Sequence, residues 1–272
     1  MTPINGKDLA ATIRAEVAQT ISTLPSPPGL GVLLVGDDPA SHLYVNLKEK
    51  AARETGIHTD IQRVPADTSD DTLERVIRAW NADASIHGIL LQLPLPAGHH
   101  TNTLIAAIDP AKDVDGFHPQ TTVLSPVHEA VLRLIGATAM DPRGKSVTIL
   151  ANSETFSEPL ARVLQRAGFL TATMHPDLLD GDLLRASNVI VTAVGRPGLI
   201  GPDLVMPGAV LVDVGTTKDA HGRVRGDVDT EALASTDGWF TPVPGGVGPL
   251  TVALLLQNVV RLYEAAANRP RS

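Results

Sequence analysis

Four short stretches carry residues whose types and spacing could do chemistry. In "SHLYVNLKEK", Ser41, Tyr44 and Lys48 stand at i, i+3 and i+7, so a helix lines all three along one face. A lysine one turn past a tyrosine is usually just a solvated charge; the sharper reading of the face is catalysis. In "GILLQLPLP", Gln92 interrupts an otherwise apolar strand. A buried amide needs partners, so it either bonds backbone or is presented at the end of a parallel strand, where α/β proteins bind ligands. In "DPAKDVDGFHP", Asp113 and Asp115 alternate ahead of Gly116, a composition that a turn explains by itself. In "TPVPGGVGPLT", Pro242, Gly245 and Gly246 belong to a stiff loop with bare backbone. Its amides could approach a flat ligand, or it simply precedes the last helix.

The elements around these stretches alternate. Leu9, Ile13, Val17 and Ile21 recur every four residues and predict a first helix. "GLGVLLVG" is a continuous apolar run of the kind buried on both faces of a parallel sheet. A helix from Ser41 to about Thr55 ends at Gly56, then come a strand at Thr59–Val64, a helix at Asp71–Trp80 and the "GILLQLPLP" strand. Ser125-Pro126 supplies a cap and a first-turn proline for another helix. After "DPRGK" a second series reads "SVTIL", "LTATM", "NVIVTAV" and "AVLVDV", and a long apolar helix, "PLTVALLLQNVVRLYEAAA", closes it. The pattern predicts two α/β lobes with a cleft between them, the second Rossmann-like: residues 1–122 with 250–272, and residues 123–249.

One strand–loop–helix in the second series, "VTILANSETFSEPLARVLQRAG", has the layout of a nucleotide site. Its loop, Ala151-Asn152-Ser153, holds no glycine, lysine or arginine. The composition narrows the classes further. With no cysteine, disulfides, thiolate metal sites and cysteine nucleophiles are excluded. Two carboxylates and nine scattered histidines argue against a metal site. A net charge of −8 argues against a broad nucleic-acid footprint, and neither a membrane-spanning run nor signal-peptide chemistry is evident. A cytoplasmic protein is the simplest reading.

Taken in order, "VGDDPASHLYVNLKEKAARETGI", "GILLQLPLP", "DPAKDVDGFHP", "AVGRPG", "LVDVG", "GDVD" and "TPVPGGVGPLTVALLLQN" resemble the bifunctional methylenetetrahydrofolate dehydrogenase/methenyltetrahydrofolate cyclohydrolase family over nearly the whole chain. The resemblance implies a folate-facing first lobe closed by the last helix, an inner lobe that binds NADP, and a homodimer formed through that inner lobe. It implies oxidation of methylenetetrahydrofolate followed by hydrolysis of the methenyl product to formyltetrahydrofolate. Carried over by motif, Lys48 is the catalytic lysine, Gln92 hydrogen-bonds it, Tyr44 stacks on folate and Asp115 holds the pterin. Ser41, Pro242, Gly245 and Gly246 fall on the substrate side; Ala151, Asn152, Ser153, Asp177 and Thr216 fall at the coenzyme.

The departures from the family cluster at the coenzyme. A Gly-Arg-Ser loop is replaced by Ala151-Asn152-Ser153, Val-Gly-x-Pro by Phe156-Ser157-Glu158-Pro159, and His-Ser by His175-Pro176 followed by Asp177. Asp-Val-Gly-Ile-Asn has become Asp213-Val214-Gly215-Thr216-Thr217, and the segment after His118 is shorter and lacks the glycine of Thr-Pro-x-Gly. The arginine and serine that receive the 2′-phosphate of NADP are gone. These changes argue against strong NADP binding and leave NAD as the other coenzyme, since an acid after the second strand of many Rossmann folds binds the free ribose hydroxyls. A cyclohydrolase with little redox activity and a non-catalytic folate-binding paralogue are the alternatives. Ser153 is expected to cap the helix that follows it.

Overall fold

The computed structural model describes residues 1–218 and 221–268. The chain divides into two compact units, Ala10–Pro126 with the segment from Val252 onward, and Met1–Leu9 with Val127–Thr251. It opens with a two-residue strand, β1 (Thr2–Pro3), and helix α1 (Gly6–Ser22).

The first unit continues with β2 (Gly29–Val35), α2 (Pro39–Thr55), β3 (His58–Val64), α3 (Asp70–Ala82), β4 (Gly88–Leu91) and α4 (Thr101–Ala107). Its three strands are parallel in the order β3-β2-β4, with Val32 opposite both Ile61 and Leu90. Every residue of β2 is buried, which is what a central strand covered on both faces requires of an unbroken apolar run. Leu33, Leu73, Ile77, Trp80, Ile89 and Leu104 fill the core on one side of this sheet. Asp38 starts α2 by accepting from the Ser41 amide at 2.8 Å, and Gly56, at φ 88°, ends it. The strand expected to contain Gln92 is shorter than its apolar run: β4 stops at Leu91, leaving Gln92 just past its carboxyl end, and Asp113 bridges to Ile89.

The second unit holds α5 (Pro126–Gly136), β5 (Ser146–Ala151), α6 (Glu154–Arg166), β6 (Leu170–Met174), α7 (Gly181–Arg185), β7 (Val189–Ala193) and β8 (Ala209–Asp213). A short hairpin follows, β9 (Thr217–Lys218) with β10 (Val224–Arg225), then β11 (Gly238–Phe240) and the closing helix α8 (Val247–Ala267). The six-stranded sheet is parallel in the order β1-β11-β8-β7-β5-β6. Succession runs outward from β5 to β6 on one side and from β7 to β8 on the other, so the strand order reverses at β5 and β7. Open α/β sheets bind ligands beyond the carboxyl ends of strands at such a point.

Two features differ from the sequence reading. Residues 1–9 were placed in the first lobe with no strand among them; Thr2 pairs with Trp239 and Pro3 with Phe240, so the N-terminus edges the second unit's sheet. Two residues carry no periodicity, and only the partner strand reveals them. By length and composition α8 is also apolar enough to cross a bilayer, where the sequence reading found no such run. Ala253, Leu254, Leu255, Leu256 and Val259 are fully buried in protein, which is the packing of a core helix.

Candidate active site and coenzyme loops

Lys48 lies on the buried face of α2. Its Nζ donates to Gln92 Oε1 at 2.9 Å, and both side chains are 8% exposed. The Gln92 amide is held the other way by its own Nε2, which donates to the Leu93 carbonyl at 2.6 Å. A neutral acceptor fixes the amine without the counter-charge a carboxylate would bring. Burial therefore pulls the Lys48 pKa below its usual value, opposed by the charge of Asp115. Ser41 is buried too, but its hydroxyl donates to Asp38 at 2.8 Å and completes the start of α2. Tyr44 is 37% exposed on the same helix, with Leu43 and Leu47 beside it at the surface.

The two aspartates of "KDVDG" divide the work. Asp113, 2% exposed, accepts from the amides of Gly116 at 3.1 Å and His118 at 2.9 Å and so builds the turn. Asp115 is half-buried in that turn, and burial pushes its carboxyl up to about 6, with Lys48 lowering it and Asp113 raising it. The loop is closed at its neck by α8: Asn258, fully buried, donates to the carbonyls of Val114 and Leu124, both at 3.0 Å. Gly116 has φ +70°, and a Cβ there would stand 2.7 Å from the Ser125 amide nitrogen. Pairing of Asn258 with the loop was not foreseen from sequence, since 144 residues separate it from Val114.

In the second unit Ala151, Asn152 and Ser153 leave the carboxyl end of β5 and enter α6. Asn152 donates from Nδ2 to the Val194 carbonyl at 2.7 Å. Ser153 does not cap α6 as expected: its hydroxyl meets Thr155 Oγ1 at 2.5 Å and makes no bond to the helix amides. The positive end of α6 is thus left open toward the switch point, a fit for the pyrophosphate of a dinucleotide. Asp177 follows β6 and pairs with Arg196, whose Nη2 donates to Oδ1 at 2.7 Å; the guanidinium holds the carboxyl below its usual range. Thr216 is exposed after β8, its hydroxyl donating to the Val214 carbonyl at 3.3 Å.

Two buried acids that the sequence reading quoted but did not weigh hold these loops. Asp227 accepts from Thr192 Oγ1 at 2.7 Å and from the amides of Val194 at 2.8 Å and Arg196 at 2.7 Å. Asp213 accepts from the amides of Gly215 and Val228, and burial pushes it up to about 7. The spacing of "LVDVG" and "GDVD" was the available signal. Pro242, Gly245 and Gly246 lie between β11 and α8; the Gly246 amide donates to the Pro242 carbonyl at 2.7 Å, and a Cβ on Gly6 would strike the Gly246 carbonyl. His128, in the first turn of α5, packs on Phe156 with ring centres 5.4 Å apart. Its Nε2 has no hydrogen-bond partner among the described residues, and burial lowers its pKa to about 4. Among the described residues no group of three or more His, Cys, Asp or Glu side chains could hold a metal.

Comparison with known proteins agrees with this geometry. Residues 4–115 match the domain described as "Tetrahydrofolate dehydrogenase/cyclohydrolase, catalytic domain", and residues 125–267 match "Tetrahydrofolate dehydrogenase/cyclohydrolase, NAD(P)-binding domain". The chain is similar to the bifunctional protein FolD of Acidiphilium cryptum, 43% identical with 98% of each chain covered. The crystal structure of FolD from Campylobacter jejuni superposes with a TM-score of 0.93 at 35% identity, covering 98% of this chain and 99% of that one. The Trypanosoma brucei FolD, solved with NADP and an inhibitor, gives 0.94 at 29% identity with 99% of each covered. A buried lysine–glutamine pair in the half that matches the catalytic domain, and an open helix terminus in the half that matches the coenzyme domain, agree with what the similarity says of each: the chain belongs to the tetrahydrofolate dehydrogenase/cyclohydrolase family.

Proposed function

We propose that this chain is a bifunctional enzyme of folate one-carbon metabolism, oxidising methylenetetrahydrofolate to the methenyl form with NAD(P) and hydrolysing that product to formyltetrahydrofolate. The observation that carries the reading is the Lys48–Gln92 pair: a buried amine on a neutral partner, with Asp115 close enough for its charge to act on it. A bound nicotinamide coenzyme supplies the hydride acceptor. In the hydrolytic half, water adds to the methenyl carbon, a proton leaves that water and one carbon–nitrogen bond opens. A lysine whose pKa burial has lowered is suited to take and return that proton. Gln92 holds the amine in place, and ionised Asp115 accepts two pterin N–H groups side by side. Tyr44 stacks on the folate ring system, with Ser41 and the Pro242, Gly245 and Gly246 backbone completing the substrate side.

Ala151, Asn152, Ser153 and Thr216 would hold the dinucleotide, with the amides at the start of α6 available to its pyrophosphate. The absence of a basic side chain in the β5 loop and the acid at Asp177 favour NAD over NADP. A homodimer completes the reading. β6 is the outer strand of its sheet, with Leu170 at 64% exposure and Leu178, just after it, at 77%. Light scattering tests this point, and a monomer at micromolar concentration would refute it.

The central experiment follows methylenetetrahydrofolate oxidation optically with NAD and NADP in parallel, beside methenyl hydrolysis. Both activities are expected, with NAD the better coenzyme. Hydrolysis without oxidation would make the β5–α6 loop a relic beside a working folate site. Absence of both would leave a binding protein.

A further inference from the structure

Three loops leave the carboxyl ends of β6, β5 and β7, which are neighbours in that order. Strands lie about 4.8 Å apart, so β6 and β7 are separated by roughly 10 Å with β5 between them. The Asp177–Arg196 ion pair joins the β6 loop to the β7 loop and therefore crosses the exit of β5, the place where a dinucleotide's adenosine ribose lies in such sheets. The two partners are mounted differently. The Arg196 backbone is pinned by the hydrogen bond its N–H donates to fully buried Asp227, beside that of the Val194 N–H to the same carboxylate. Its side chain is half in solvent and free to swing about that fixed base. Asp177 sits in a short 3-10 turn (Pro176–Leu178), its amide donating to His175 Nδ1 at 3.3 Å.

Resting on the coenzyme reading above, we propose that Asp177 and Arg196 act as one selector for the 2′-position of the coenzyme ribose. With the pair closed, its net charge is zero, and the second carboxylate oxygen of Asp177, 3.6 Å from His175 Nδ1 and beyond hydrogen-bond range of it, is left to accept from free ribose hydroxyls. A 2′-phosphate would have to pull Arg196 away and lie as a dianion beside the released carboxylate. Arg196 is thus a phosphate-binding cation held in reserve by its own partner. The basic residue absent from the β5 loop has a substitute on the β7 loop, and one carboxylate occupies it.

Isothermal titration of the full-length protein with NAD and NADP tests this directly, and needs no turnover. The intact protein is expected to prefer NAD. Asp177→Asn keeps the side chain's shape, frees Arg196 and tightens NADP binding about 10- to 100-fold, the worth of one or two charge-assisted hydrogen bonds, while NAD weakens severalfold. Asp177→Asn combined with Arg196→Gln loses that gain. An NADP-to-NAD ratio unchanged in Asp177→Asn, or a gain that survives in the double variant, overturns the selector while leaving the coenzyme reading intact. Failure of every variant to bind either nucleotide, with methenyl hydrolysis retained, removes the coenzyme reading and the selector together.

Discussion

The two chemical regions of this molecule are built in opposite ways. Around Lys48 the supporting polar groups are buried and paired: Gln92 is held at both ends of its amide, Asp113 makes the turn, and Asn258 closes the loop from a distant helix. At the carboxyl ends of β5 and β6 the corresponding groups are exposed. Asn152 reaches the Val194 carbonyl, Ser153 meets Thr155, and Asp177 is tied at the surface by Arg196, with His175 Nδ1 3.6 Å from its other oxygen. A buried amine is costly unless its partner stays in place, so a change in one member strands the other. An exposed loop carries no such penalty and changes one residue at a time. Most departures from the family pattern fall in the second kind of region, where a substitution strands no buried partner; the shortened segment after His118 is the exception.

The largest expected effect tests the buried side. Lys48→Met should lower methenyl hydrolysis by about 10²- to 10⁴-fold, the usual worth of a positioned acid–base group, while folate binding measured by fluorescence persists. Turnover near the parental rate in that variant would end the lysine mechanism. Asn258→Leu leaves the carbonyls of Val114 and Leu124 without donors inside the protein. It should cost about 2–5 kcal/mol in denaturant unfolding and raise the folate KM more than it changes kcat. If KM is unmoved at a temperature where the variant is folded, the loop neck does not position Asp115.

Acidity gives an intermediate test. Asp115 titrates at about 6, raised above the ordinary 3.8, so it binds a proton more readily in the folded protein than a free carboxyl does. Its acceptor form is lost as pH falls through about 6, and folate KM should climb up to tenfold for each unit below that point. The same raised value means that Asp115 costs stability as pH rises from 3.8 through about 6, and the cost stays constant above that. A KM flat between pH 5 and 7 would remove Asp115 from pterin binding; Asp115→Asn should flatten it. The smallest effect belongs to the exposed side. Because Ser153 makes no bond to the helix amides, Ser153→Ala should cost less than the ~1 kcal/mol of a working cap. A larger loss in thermal unfolding would show that Ser153 caps α6 in solution.

Much was legible in the chain before folding. The apolar runs of β2, β7 and β8 marked strands covered on both faces, because a residue with no polar face has nowhere else to go. Helical spacing put Ser41, Tyr44 and Lys48 on one face of α2, since 3.6 residues per turn is a local property. Local geometry did not tell which member of that face would be buried; Lys48 is, and Tyr44 is not. Nor did it separate Asp113 from Asp115, because two acids in one turn look alike until one of them receives the amides.

What the sequence by itself determined is the order of strands and helices, the presence of a lysine, a glutamine and an aspartate at family spacing, and the lack of a basic residue in the β5 loop. Those are properties of composition and short-range period. Tertiary structure decided that Gln92 meets Lys48 across 44 positions, that Asn258 closes the loop bearing Asp115, that the N-terminal strand joins the second sheet, and that Arg196 reaches Asp177 over the end of β5. Each is a contact between residues far apart in the chain. Sheet order and packing bring such residues together, and no local pattern of residues encodes them.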